Sequence, residues 1–559
     1  MADKKDMVQE KLAKIQQEAE EREAQRKASE LKIDYLSPTK IPIQVTALEL
    51  ISEEKARLIK VAPFQFRKPD VALAVYNPES EETKQFIQSL KSQNLRVKVF
   101  VVSKTALEHI WSFYQYVIKA APTVTGKFSI EKEKFEKLTK ELVSLEKVKD
   151  AMSSFNFQTR PTAELLEVML AGSVATRASD VHLEPEEKQV GLRYRIDGVL
   201  HAVAENINHQ VYPFLISRLK LISNLKINVT DEPQEGRFTL NVENKEIEIR
   251  VSIIPSEFGE TVVMRILNPD VIQLSLEELG LRKDDYQILK EQIIQPNGML
   301  LNTGPTGSGK TTTLYASLNY LKSEEIKIIT IEDPIEYHLE GIEQTQVNPE
   351  SKYDFANGLQ SLMRQDPDVI LVGEIRDQKT AEIAMQAALT GHLVFSTVHA
   401  NSAAGAVPRL LDLGVRSSSI GPALNLVIAQ RLVRRLCEKC KAPEKASEEI
   451  KIKIEKFLSK LPARVDKSLY KKIQLRKPQG CSDCHSIGYR GRVAVFEMLE
   501  VGSEIEKLIS QNTSEGEIYK FALEKQDMVT MQQDGILKVI LGMTTFKEVE
   551  GVTGAIKWQ

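Results

Sequence analysis

The segment "GMLLNTGPTGSGKTTTLYASLNYL", residues 298–321, constrains the fold more tightly than any other part of the chain. It sets G-x-x-x-x-G-K-T, from Gly304 to Thr311, after an apolar strand and before a helix with Leu314, Leu318 and Leu321 at helical spacing. Strand, glycine-rich loop and helix in that order make a cradle for phosphate. Gly304, Gly307 and Gly309 let the backbone curl so that its N–H groups converge, and the helix N-terminus adds the positive end of its dipole. The expected triphosphate ligands are Gly304, Pro305, Thr306, Gly307, Ser308 and Gly309, with Lys310, Thr311 and Thr312 on the first helical turn. Lys310 is expected to reach the β- and γ-phosphates, and Thr311 to ligate Mg²⁺ through its hydroxyl.

Two acidic segments follow strands. "IKIITIEDPIEY" is a β-branched run ending at Glu332, Asp333 and Glu336, and "DPDVILVGEIRD" is a buried-type strand, Val369 to Val372, ending at Glu374. The strand beside such a loop usually ends in an Asp that holds Mg²⁺ through water. Here Asp368 precedes the apolar run, and Glu374 takes that place. A carboxylate at this point orients water as a base or completes the Mg²⁺ shell. The spacing leaves these duties undivided between Glu336 and Glu374. Next, a helix stops at Gly391, and the strand "LVFSTVH" ends at His399. His392 and His399 flank that strand, as sensors of the γ-phosphate or of a neighbouring subunit, or simply as structural residues. Strands alternating with helices, with acids at strand ends, describe a parallel α/β core.

At 559 residues the chain exceeds one ordinary domain. Its formal charge of −3 supplies no global field for nucleic acid or an anionic membrane. No apolar run approaches the ~20 residues of a membrane span, and the first residues lack the apolar core of a secretory signal, so a cytosolic protein is expected. Residues 1–38 are a charged helical tail with Val8, Leu12 and Ile15 as a thin apolar stripe. Residues 39–120 read as a small α/β domain, with "VALAVYNP" and "RVKVFVVS" as strands around the helix "SEETKQFIQSLKSQ". It carries no catalytic constellation, and a docking role is expected. Residues 121–157 read as a charged helical linker. Residues 158–270 form an α+β unit of hairpins, one turning at Asp197-Gly198. Strand alternation sets Arg193 and Arg195 on one face of it.

The four cysteines, Cys437, Cys440, Cys481 and Cys484, all lie in C-x-x-C pairs. Cys481-Ser-Asp-Cys484-His485 also matches the pattern of covalent haem attachment, which normally requires export. In a reducing cytosol, paired cysteines read as metal ligands or redox centres.

Taken together, "GPTGSGKTTTLY", "TIEDPIE", "RQDPDVILVGEIRD", "TGHLVFSTVHAN", "QRLVRRLC" and "GYRGRVAVFEML" resemble the secretion ATPases of type II secretion and type IV pilus assembly, the GspE and PilB group. Upstream, "RASDVHLEP", "LRYRIDGVL", "EPQEGRF" and "FGETVVMRIL" match as well. The resemblance implies a RecA-like P-loop NTPase core over 271–435 and a preceding PAS-like α+β domain. It also implies a tetracysteine zinc subdomain over 436–490 and a C-terminal helical region over 491–559. Its catalytic set is Lys310, Glu336, Glu374 and His399, with ATP and Mg²⁺ as cofactors and Thr311 and Glu374 on the Mg²⁺. It further implies that the α+β domain lends arginines to the nucleotide, with Arg195 and Arg218 as candidates and Arg193 and Arg237 behind them. Relatives often carry Arg directly after the D-G-V-L turn, where this chain has His201. Four thiolates, from Cys437, Cys440, Cys481 and Cys484, suit tetrahedral Zn²⁺ with no position left for catalysis. The implied machine is a homo-hexamer at the cytoplasmic face of the inner membrane, peripheral to it. Its implied partners are a platform protein and an adaptor, with no nucleic acid. A DNA-uptake pilus motor and a nucleic-acid translocase are the alternatives.

Overall fold

The computed structural model describes residues 19–37, 43–48, 50–92, 95–116, 127–128, 132–155, 162–242, 245–267, 274–348 and 351–558. The stripe Val8, Leu12 and Ile15 lies outside them.

Short β-branched and apolar runs assemble the sheet that carries the glycine-rich loop. From one edge its strands are Glu343–Gln346, Ile328–Glu332, Val369–Val372, Leu393–Val398, Gly298–Thr303, Leu424–Leu436 and Tyr489–Glu500. The first six run parallel and the last is antiparallel. Central strands are buried throughout because helices cover both faces, which is why they read as unbroken apolar runs. Leu301, Ile331, Ile370 and Val394 face one helical layer, and Leu300, Ile328, Leu371 and Phe395 face the other. In-register pairing of Thr303 with Val398, and of Thr303 with Ala429, brings the loops after these strands to one end of the sheet.

A second seven-stranded sheet precedes it, in the order Lys127–Phe128, Gln234–Val242, Lys245–Ser256, Gly259–Leu267, Asp180–Pro185, Val190–Ile196, Val199–Ile207. The hairpin between the last two strands turns at Asp197 and Gly198, whose φ values of 49° and 88° suit that pair. Along Val190–Ile196 burial alternates strictly, with Tyr194 inside and Arg193 and Arg195 outward. The stretch expected as a charged linker is not a free connector. Its described part is the edge strand Lys127–Phe128 and two helices, Lys132–Glu141 and Leu145–Ser153, and the helical stretch buries Phe135, Leu142, Leu145, Val148 and Met152 in this sheet's core. Those apolar positions recur every three to four residues, and the surrounding lysines and glutamates mask them in composition.

The N-terminal domain is a four-stranded sheet, Asp34–Tyr35, Arg96–Val101, Asp70–Val75 and Val61–Arg67, with the helix Glu81–Ser92. It meets the second sheet's unit through Ile227, which joins its core, and through Asn228, whose side chain accepts from the Ile43 N–H at 2.8 Å.

The C-terminal portion is not helical from residue 491. The strand Tyr489–Glu500 completes the core sheet beside Leu424–Leu436, and helices follow from Ser503. Likewise the excursion between the cysteine pairs has no core of its own. Ile454 and Phe457 of its helix Glu448–Lys460 share one cluster with Ile536, Leu537 and Ile540 of Met531–Ile540.

A buried charge network ties these pieces together. Arg282 meets Asp285 at 2.6 Å and Asp534 at 3.0 Å, Arg464 meets Asp285 at 3.1 Å, and Lys538 meets Asp534 at 2.5 Å. Burial pushes the Asp534 carboxyl up, but Lys538 and Arg282 more than reverse this and hold it below the usual carboxylate range. At Asp285 burial dominates and pushes the group up to about 6. Asp534→Ala takes the ion-pair partner of the buried Lys538 and one of the carboxylates of Arg282, and is expected to cost about 3–5 kcal/mol, read as an earlier urea-unfolding midpoint. An unchanged midpoint would show that the network is not structurally important.

Candidate functional site

Gly304 leaves its strand at φ 151°, where a Cβ would come within 2.6 Å of the Gln430 carbonyl. Gly309 stands at φ 89° as the N-cap of the helix Lys310–Leu321, so the chain turns sharply enough for the loop to wrap around a phosphate. The Lys310 ammonium folds back over this loop and donates to the carbonyls of Gly304 at 2.8 Å and Pro305 at 3.1 Å. Burial lowers its pKa, and the nearby Glu374 carboxylate opposes that shift.

Glu374, just past its strand, is largely buried. It pairs with Arg376 at 2.5 Å and lies 3.8 Å from His399 Nε2. The strand after the P-loop strand's neighbour therefore delivers an acid, and Leu393–Val398 delivers His399, to the same end of the sheet. His392 lies elsewhere. It precedes the first residue of that strand and bonds the Ala387 carbonyl, so the length of the strand separates it from His399 and the loop.

Glu332 and Glu336 also part company. Glu332 is buried under the P-loop helix, where Tyr315 donates to it, Thr330 Oγ1 donates at 2.6 Å and Gln344 Nε2 at 3.2 Å. Glu336 reaches instead towards the other sheet, where Arg250 Nη1 meets it at 3.2 Å and Arg250 Nη2 donates to the Ile335 carbonyl at 2.5 Å.

A cavity of about 1220 Å³ opens between the two seven-stranded sheets, with Gly307–Thr312, Glu336, Glu374 and His399 on its core side. Across it stand Arg250 and Arg265. Neither Arg195 nor Arg218 lines it, nor do Arg193 and Arg237. Arg195 lies 3.6 Å from Asp180, Arg193 pairs with Glu184 at 2.5 Å, and Arg237 lies 3.7 Å from Glu248. The expected candidates are spread over three elements: Arg193 and Arg195 on Val190–Ile196, Arg218 on the helix Tyr212–Ile222, and Arg237 on Gln234–Val242, opposite Arg250. The arginines of this unit that line the cavity are Arg177, just after the helix Thr162–Ala175, and Arg250 and Arg265, on Lys245–Ser256 and Gly259–Leu267, where Arg265 also pairs with Asp180 at 3.0 Å. His201 also stays off this cavity. Burial, then Arg434 and Lys149, lower its pKa and disfavour a charge there.

Residues 157–551 match the model of a family described as type II/IV secretion system protein. The chain belongs to that family. It is 44% identical over 393 residues to a type II secretion system protein E of Pseudomonas aeruginosa, spanning 70% of this chain and 76% of that one. It is 37% identical over 504 residues to the type IV pilus assembly ATPase PilB of Acinetobacter baylyi, spanning 90% and 84%. Among solved structures, the DotB ATPase of Yersinia pseudotuberculosis superposes with a TM-score of 0.50 at 21% identity, over 72% of this chain and 95% of that one. That likeness concerns the fold. Membership makes the chain a secretion-type ATPase, and its core shares the α/β fold of that structure.

In this type II/IV secretion system protein the two cysteine pairs converge. Cys437 and Cys481 sulfurs lie 3.8 Å apart, Cys440 and Cys484 3.7 Å, and Cys481 and Cys484 3.7 Å. All four sulfurs fall within 4.8 Å of one another. Four thiolates at Zn–S bonds of about 2.3 Å on a tetrahedron stand about 3.8 Å apart, so the set is compatible with zinc. Backbone N–H groups of Cys481 and Gly488 point at Cys484 Sγ at 3.2 Å each, which suits a thiolate. The knuckle borders the same cleft as the P-loop, through Cys481–His485 and Arg490–Arg492.

Proposed function

We propose that this ATPase hydrolyses ATP at Gly304–Thr311 and uses opening and closing of the cleft between its two seven-stranded sheets to power type IV pilus assembly or type II secretion. One observation carries the reading. The P-loop, Glu374 and His399 stand at one end of the core sheet, and Arg250 and Arg265 face them from the other unit across a cavity large enough for a nucleotide. Lys310 leaves the Gly304 and Pro305 carbonyls for the phosphates. Arg250 and Arg265 add cations that only a closed cleft brings near, so ATP favours closure more than ADP does, and that difference in affinity is the source of work. Glu374, oriented by Arg376 and beside His399, takes the proton of the attacking water, and Glu336 is held ready by Arg250. Mg²⁺, held by Thr311 and Glu374, would neutralise developing phosphate charge. Zn²⁺ on the four cysteines would brace the excursion.

The reading extends to a ring of six copies that turns or pushes a membrane-embedded platform protein, with an adaptor engaged by the N-terminal domain. No helix among the described residues is long and apolar enough to cross a membrane, which suits a motor docked on its surface. A DNA-uptake pilus motor would use the same site.

Purified chain with ATP and Mg²⁺ is expected to release phosphate, to stop when EDTA removes Mg²⁺, and to ignore added DNA. Stimulation by DNA would instead favour the translocase reading, and turnover unaffected by EDTA would defeat the assigned Mg²⁺ chemistry.

A further inference from the structure

Apart from Cys437 in the cysteine knuckle, the family-like motifs "QRLVRRLC" and "GYRGRVAVFEML" have no role assigned above. Three of their residues, Gln430, Arg431 and Glu497, converge behind the glycine-rich loop. Past Thr303, whose strand partner is Ala429, the chain Gln430–Leu432 runs alongside the P-loop itself. The buried Gln430 carboxamide oxygen accepts from Asn302 Nδ2 at 3.1 Å and from Thr313 Oγ1 at 2.8 Å, joining the strand before the loop to the helix after it. Arg431 Nη1 donates to the Gln430 carbonyl at 2.9 Å, and its Nη2 donates to the Asn401 carbonyl at 3.1 Å.

Asn401 belongs to the segment that follows His399. Thr303 Oγ1 accepts from the Ala400 N–H at 2.8 Å and donates to the Ala400 carbonyl at 3.0 Å. Glu497 Oε1 accepts from the Ala403 N–H at 2.9 Å. Ala403 and Ala404 are fully buried, and Ser402 Oγ donates to Glu515 at 2.7 Å. The segment is therefore pinned at several points, by groups that all grow from the P-loop strand, its neighbour, the antiparallel edge strand and the C-terminal helices. Burial raises the Glu497 pKa, and the Ala403 N–H bond resists that rise, because that donor favours the ionised carboxylate.

We propose that Gln430, Arg431 and Glu497 are positioning residues for ATP hydrolysis: they clamp the segment Ala400–Gly405 to the P-loop, and so hold His399 against Glu374. The clamp rests on the hydrolysis reading above. It touches no phosphate. It fixes the distance between the loop that holds the triphosphate and the residues that activate water. Misplacing reacting groups by about 1 Å costs on the order of 100-fold in rate, so a clamp remote from the reacting atoms has a large effect on kcat.

The test measures steady-state ATP turnover of the full-length chain, and separately the Kd of a fluorescent ATP analogue. Arg431→Met is expected to lower kcat about 10- to 100-fold while the Kd stays within about threefold. Glu497→Leu should act the same way. Glu497→Gln, which keeps an oxygen for the Ala403 N–H, should recover most of the lost turnover. Full kcat in Arg431→Met, or equal losses in Glu497→Gln and Glu497→Leu, overturns the clamp. A Kd that weakens by the same factor as kcat also overturns it, since Arg431 would then be a phosphate ligand. Should Arg431→Met not fold, the two Glu497 variants decide. Absence of ATP turnover in the wild-type chain is a separate failure, that of the hydrolysis reading itself.

Discussion

Lys310→Ala and Glu374→Gln are each expected to lower ATP turnover at least ~100-fold while the fold survives. The two changes act differently. Lys310 is the cation inside the loop, and in the free protein its ammonium is satisfied by the Gly304 and Pro305 carbonyls. Removing it leaves those carbonyls near solvent and takes away a charge that triphosphate would meet, so nucleotide affinity and turnover should fall together. Glu374→Gln keeps the shape toward Arg376 and removes the negative charge that accepts a proton and meets Mg²⁺, while Lys310, Thr311 and the loop remain to hold the phosphates. It should bind nucleotide near normally and stall. Turnover assays beside analogue binding separate the two patterns. Near-normal turnover in Glu374→Gln would remove this residue from the role of base and point to Glu336, whose carboxylate pairs with Arg250 at 3.2 Å in this conformation.

Stripping the cysteine knuckle of metal is the second large effect. Zinc binding to four thiolates is worth on the order of 10 kcal/mol linked to folding of the segment it closes. Here the segment Lys441–Gly480 packs its helix against Met531–Ile540, and the same C-terminal helix carries Asp534 and Lys538 of the buried charge network. Purified chain is expected to contain one zinc per polypeptide. A strong chelator should lower the melting temperature and open Lys441–Gly480 to protease, and Cys481→Ser should do both without chelator. Chain purified from zinc-replete cells without bound metal, or with unchanged melting in chelator, would mean that the sulfurs sit close together for another reason.

Legibility of the site followed the distance over which its parts cooperate. The P-loop is contiguous, so glycine spacing, the flanking strand and the following helix were all visible within 298–321, and the structure sets Lys310 and Glu374 at one end of one sheet. Acids at strand ends were visible as residues, but their duties were not. Glu332 and Glu336 are four positions apart, and one is buried under Tyr315 while the other meets Arg250. The arginine positions are equally illegible for the same reason. Arg193 and Arg195 lie outward on their strand as alternation requires, yet outward on that strand is not toward the loop. The burial of the helices over 132–153 is hard to read because lysines and glutamates dominate the composition there, although the apolar positions that bury them sit at helical spacing.

By itself, then, the sequence determined what local spacing determines: a phosphate-cradling loop between strand and helix, a parallel sheet of unbroken apolar runs, hairpins turning where positive φ is tolerated, and thiol pairs. Tertiary structure alone decided which cations face that loop, which carboxylate is buried, and that the core sheet is closed by a strand from the C-terminal portion. Glu336 and Arg250 are 86 residues apart in the chain, Glu497 and Ala403 94 apart, and Cys437 and Cys481 44 apart. No periodicity in the sequence spans such separations; the approach of the two sheets makes the first pair, the antiparallel strand added to the core sheet carries the second, and closure of the knuckle makes the third.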